Sequence, residues 1–156
     1  MQLISKSIEH TLKIGRMLAK YLKKRDIICL IGQLGSGKTV LVKGIAEGLG
    51  IKSWVVKSPS FILIHEYKSK NNLLYHLDLY RLKNPIDTVL LGYEEYLYNE
   101  GICVIEWAER LNYLMPKEYL KINFYIVSEE KRLLKFIAYG RRYKELLKRI
   151  YEDIRH

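Results

Sequence analysis

The chain has 156 residues, a net charge of +10, 49% apolar and 28% charged residues, and two cysteines. That length suits one domain with a real core, residues 1–156, and argues against an oligomeric machine ATPase with an added lid or helical-bundle domain. No apolar run approaches the roughly 18 residues of a membrane span and no signal-peptide core opens the chain, so a cytoplasmic protein off the membrane is expected.

The first predicted element is a helix from about Ser7 to Tyr21, with Ile8, Leu12, Ile14, Leu18 and Leu22 near helical period and Ser7 as its cap. An apolar strand Ile27–Ile31 follows and runs into GQLGSGKT, residues 32 to 39, a complete GxxxxGK[ST] phosphate-binding loop. The helix-forming stretch from Lys38 to Leu49, stopped by Gly50, completes strand, loop and helix in the order this motif needs. The residue types follow from the chemistry. Gly32, Gly35 and Gly37 keep side chains off a polyphosphate and permit positive φ, so successive N–H groups, Ser36 included, face the anion at the positive end of the helix. Lys38 reaches the β- and γ-phosphates, and the Thr39 hydroxyl is placed to ligate Mg²⁺. The chain is therefore read as binding a nucleoside triphosphate.

Short strands are predicted near Ser53–Val56 and Phe61–Tyr67, a polar turn at 68–72, and a strand Leu73–Tyr80 that pairs with its predecessor as an antiparallel hairpin. Between them, Ser58-Pro59-Ser60-Phe61 sets two hydroxyls around a proline, a pattern found in γ-phosphate-sensing switches, although on these residues alone an ordinary Ser-Pro turn is the preferred reading. Alternation along the 73–80 strand puts His76 and Asp78 on one face, about 6.6 Å apart, which suits a site and suits a solvated face. Residues 86–100 read as mostly helical and Ile102–Ile105 as a buried parallel strand. Glu106 then stands at the carboxyl end of a core strand, where P-loop proteins place the acidic residue that reaches the metal; the plainer reading is a cap on the short helix expected at 108–114. Trp107 beside it reads as core.

Strands Tyr119–Val127 and Leu133–Tyr139 and a basic helix from about Arg141 to 156 close the chain. The elements together predict an α/β fold, a three-layer P-loop sandwich of parallel core strands with antiparallel strands attached. Cys29 and Cys103 lie in apolar runs and read as reduced core residues. Residues 131–156 carry nine Lys/Arg against three Asp/Glu, which fits contact with RNA or an acidic partner and equally a solvated helix face.

Several of these signals fall in one order: Ser7, Thr11, Leu12, Gly15 and Ala19; GQLGSGKT; VKSPSF from Val56 to Phe61; HLDLYR from His76 to Arg81; and Ile105-Glu106-Trp107. Over roughly residues 7 to 142 the chain resembles the bacterial TsaE (YjeE) family, the small ATPases of tRNA threonylcarbamoyladenosine synthesis. The resemblance implies ATP with Mg²⁺, Thr11 near the adenine, Gly35, Ser36, Gly37, Lys38 and Thr39 around the phosphates, and Thr39 with Glu106 at the metal. It also implies Asp78 in the hydrolytic site beside Lys38 and Glu106, and Ser58 and Ser60 in a switch. The implied work is ATP hydrolysis with the partners TsaB and TsaD, which transfer threonylcarbamoyl to the adenosine beside the anticodon, tRNA being reached through that complex. Gln33 stands where the family usually has Asp, and Ser60 where it usually has Thr.

A small-molecule kinase and a nucleotide-gated binding module with little hydrolysis are the alternatives. The best kinase lid candidate, Lys131 to Arg142, itself reads as a strand flanked by basic residues. A GTPase would need an Asn-Lys-x-Asp or Asp-x-x-Gly motif, and the sequence has neither.

Overall fold

In chain order the elements are strand β1 (Gln2–Ser5), helix α1 (Ile8–Ala19), strand β2 (Ile27–Ile31), helix α2 (Lys38–Gly48), strands β3 (Ile64–Lys68) and β4 (Leu73–Asp78), helices α3 (Pro85–Leu90) and α4 (Tyr93–Leu97), strand β5 (Ile102–Glu106), strands β6 (Tyr119–Ile126) and β7 (Arg132–Tyr139), and helix α5 (Arg141–Arg155). They come from a computed structural model that describes residues 1–57 and 64–155. The strands form one sheet in the order β1-β7-β6-β2-β5-β4-β3. Its centre, β6-β2-β5-β4, is parallel; β3 pairs antiparallel with β4, β7 antiparallel with β6, and β1 antiparallel with β7.

Both faces of that sheet are covered, which is why β2 and β5 are unbroken apolar runs. On one side Ile28, Leu30, Val104 and Ile122 pack with Leu18 of α1, Leu41 and Ile45 of α2, and Leu146 of α5. On the other, Cys29, Leu77, Cys103 and Ile105 pack with Tyr93, Leu97, Ala108 and Leu111. The expected three layers are present. Cys29 and Cys103 are free and wholly buried, and burial pushes both thiols upward, away from nucleophilic or metal chemistry.

Four local expectations change. Ser53–Val55 is a 3-10 turn and not a strand, because its amides bond three residues back, Val55 N–H to Lys52 O and Val56 N–H to Ser53 O. The helical stretch 86–100 is two short helices, broken where Gly92 takes φ +68°. Strand β4 stops at Asp78 because its carboxylate accepts the Tyr80 N–H (3.0 Å) and turns the chain. Strand β1 escapes sequence reading because four residues are too few for a pattern; its pairing with β7 creates it. The Lys131–Arg142 lid candidate is largely β7, hydrogen-bonded to β6 on one side and β1 on the other.

Helix α2 is fixed against α1 by an unusually close backbone approach. A Cβ on Gly44 would lie 2.4 Å from the Leu12 carbonyl oxygen, and one on Gly15 would lie 2.7 Å from the Leu41 carbonyl oxygen. Arg16 of α1 spans the same contact to Glu47 of α2 (2.6 Å). Gly15 is therefore required by packing, and the packing sets where the first turn of α2 points. Gly44→Ala is expected to lower stability by about 1–3 kcal/mol through overpacking, outweighing the roughly 1 kcal/mol that alanine contributes to an isolated helix. Chemical denaturation checks this; an unchanged or higher midpoint would show that the two helices are free to part.

Candidate functional site

The carboxyl ends of β2, β4 and β5 meet the first turn of α2. Register places Asp78 opposite Glu106 and Leu30 opposite Glu106 on its other side, so loop 32–37, Asp78 and Glu106 arrive at one edge of the sheet. Gly35 and Gly37 take φ of +74° and +99°, and a Cβ on either would meet nothing within 4 Å. The loop thus leaves an open space over bare backbone at a helix N-terminus, the arrangement that accepts an anion. Gly32 is different. There a Cβ would strike Ser36 Oγ at 2.7 Å, and Ser36 is wholly buried with no hydrogen-bond partner for that hydroxyl among the described residues.

A cavity of about 120 Å³ lies here, lined by Leu34 to Thr39, Asp78, Tyr80, Glu106 and Trp107. The Lys38 ammonium crosses it, donating to the Gly32 carbonyl (2.5 Å) and the Gln33 carbonyl (3.1 Å) and lying 4.2 Å from the Trp107 ring centroid. Burial lowers the Lys38 pKa, and Glu106, Glu109 and Asp78 oppose that shift. A nearly dry ammonium gains strongly from an incoming anion. The Thr39 hydroxyl donates to Glu106, 2.8 Å from Oε1 and 3.0 Å from Oε2. Glu106 does not cap the following turn; its carboxylate faces α2, and Oε1 also meets His76 Nε2 at 2.8 Å. The Asp78 carboxyl is 5% exposed and held by the Tyr80 amide, and burial lifts its pKa above the usual value.

The donor set fits Mg²⁺. Thr39 gives its one hydrogen to Glu106 and keeps the lone pairs of Oγ1, and a carboxylate with a hydroxyl beside a phosphate cradle is the partial oxygen shell that this ion completes with phosphates and water.

A second cleft, about 460 Å³, runs from Gly35 and Gly37 past Val40 to Thr11, Ser7 and Arg132. Thr11 lines it from α1, with its hydroxyl bonded to Ser5 Oγ (2.7 Å) and the Ser7 carbonyl. Ser58 and Ser60 lie outside the described residues. The solvated-face reading of the 73–80 strand is overturned at His76, which has no exposed surface and lies against Glu106, Tyr67 and His65. Trp107 is not core. Its backbone turns left-handed (φ 55°) and lays the ring over Lys38, with Tyr80 at 4.9 Å. A non-glycine residue in that conformation is strained, and no sequence pattern announces it. A larger cavity, about 820 Å³, is at the opposite end of the sheet around Lys23, Tyr98 and Met115; Asp26 within it is already paired with Arg142 (2.6 Å).

The sequence model of a family described as "Threonylcarbamoyl adenosine biosynthesis protein TsaE" matches residues 5–134. A Bacillus subtilis tRNA threonylcarbamoyladenosine biosynthesis protein TsaE is 39% identical over 138 residues, 88% of this chain and 85% of the relative. The Treponema pallidum protein of the same name is 36% identical over 132 residues, 85% of this chain and 96% of the relative. The crystal structure of Bacillus subtilis YdiB superposes with a TM-score of 0.83 at 33% identity, covering 98% of this chain and 95% of that one.

The Lys38–Trp107 contact is readable by fluorescence. In a Trp54→Phe background, where Trp107 is the remaining tryptophan, ADP is expected to change the emission saturably as phosphates draw Lys38 from the ring, and Lys38→Ala is expected to abolish the response. Calorimetric binding of ADP with no change in emission would remove Trp107 and Lys38 from the site.

Proposed function

The chain belongs to the TsaE family of tRNA threonylcarbamoyladenosine biosynthesis, and on that premise we propose that it is a magnesium-dependent ATPase stimulated by its partners. The observation that carries this reading is the Thr39–Glu106 hydrogen bond at the mouth of the Gly35–Thr39 cradle, beside a buried Lys38. Residues 1–156 act as one ATP-binding domain in the cytoplasm; among the described residues no helix is long and apolar enough to cross a membrane.

In this reading the loop amides and Lys38 hold the β- and γ-phosphates, and the adenine lies in the cleft toward Thr11. Thr39 and Glu106 would hold Mg²⁺, which when bound would neutralise charge on the phosphate oxygens. Asp78, whose carboxyl is made more basic by burial, orients the attacking water and accepts its proton. The water oxygen bonds to the γ-phosphorus, the bond to the β–γ bridging oxygen breaks, and ADP and phosphate leave. Trp107 and Tyr80 wall the cavity and limit entry of further water. Ser58 and Ser60 serve as the switch that responds to the γ-phosphate. TsaB and TsaD complete the active arrangement, and hydrolysis drives or resets that complex, with tRNA contacted through it.

Phosphate release, measured with and without the TsaB–TsaD complex, tests the proposal. Strong stimulation is expected, together with a loss of about 100-fold or more in kcat for Lys38→Ala and a loss of turnover with better-preserved ATP binding for Glu106→Ala. Turnover untouched by Lys38→Ala contradicts it, and transfer of phosphate to a metabolite replaces it with a kinase.

A further inference from the structure

His76 has no exposed surface and belongs to none of the roles assigned above. It stands on β4 two residues before Asp78, opposite Val104 of β5, and its Nε2 lies 2.8 Å from Glu106 Oε1. That is the same carboxylate oxygen that Thr39 approaches at 2.8 Å. On its far side Nδ1 faces the Tyr67 hydroxyl at 3.5 Å, and the Tyr67 hydroxyl also bonds the Lys57 backbone. A carboxylate offers lone pairs and no hydrogen, so Nε2 carries the hydrogen and Nδ1 is left to accept from tyrosine.

We propose that His76 is a positioning residue for the cation site: its Nε2–H holds the Glu106 carboxylate toward Thr39, so the protein's oxygen ligands are assembled before nucleotide arrives. The geometry leaves few other ways to hold Glu106. Its side chain is only 4% exposed, too little for water to orient the carboxylate, and among the described residues its oxygens meet the Thr39 hydroxyl and the His76 imidazole. Thr39 by itself does not fix the group, because its hydroxyl lies almost equally near both oxygens (2.8 and 3.0 Å) and that contact survives a rocking of the carboxylate. His76 breaks the symmetry by touching Oε1. It is itself clamped, since Tyr67 (ring centroids 6.1 Å) and His65 (6.5 Å) flank the imidazole from β3. Hydrogen bonds of this outer kind orient ligands and raise their affinity for metal.

This inference rests on the nucleotide-site reading above and is tested without turnover. Binding of a fluorescent ADP derivative is titrated with Mg²⁺, and again in EDTA, for the native protein and for His76→Leu, His76→Gln and His76→Asn. The amide nitrogen of Gln can stand where Nε2 stands; that of Asn falls short. His76→Leu and His76→Asn are expected to raise the Mg²⁺ requirement about 10- to 100-fold, to leave binding in EDTA unchanged, and His76→Gln to recover most of the loss. Equal Mg²⁺ requirements in Gln and Asn variants overturn the proposal, as does a parallel fall of binding in EDTA, which would mark His76 as packing only. If His76→Leu does not fold, the Gln and Asn pair still decides. Lys38→Ala serves as the control for the underlying reading: retained ADP binding there rejects the nucleotide site itself, whatever the His76 variants do.

Discussion

Four ionisable side chains, Lys38, His76, Asp78 and Glu106, are held nearly out of water at one end of the sheet, each 5% exposed or less. Taking charges out of water is expensive unless each finds a partner. His76 and Glu106 partner each other, Lys38 has the carbonyls of Gly32 and Gln33 and the face of Trp107, Glu106 also has the Thr39 hydroxyl, and Asp78 has the Tyr80 amide. The arrangement lowers the Lys38 pKa and lifts that of Asp78, both mainly by burial. A site already dry before its ligand arrives presents fixed groups to a polyphosphate and needs little reorganisation.

The scaffold exists to hold that cluster in register. Parallel pairing of β4, β2 and β5 sets Asp78 level with Glu106, and the glycine contact between α1 and α2 sets the height of Thr39 above them. Residues far from the site therefore act on it through backbone position.

Much of this was legible in the sequence because its cause is local. The loop 32–39 declares itself by residue type, β2 and β5 by unbroken apolar runs, and α1 by helical period and the Ser7 cap, whose hydroxyl accepts the His10 N–H. Glu106 was readable from its place at a strand end. What was hidden depends on tertiary context. His76 and Glu106 are 30 residues apart, and their hydrogen bond follows from two strands lying side by side. The left-handed turn at Trp107 and the break at Gly92 are backbone choices made by packing, and β1 is a strand only because β7 offers it an edge.

A crystal structure of the protein with Mg²⁺ and a non-hydrolysable ATP analogue tests the central claim most directly. The account predicts the triphosphate on the amides of Gly35 to Thr39 and the metal held by Thr39 and Glu106, with Glu106 still bonded to His76. Analogue bound elsewhere, for instance in the cavity by Lys23 and Met115 with the cradle empty, would contradict it.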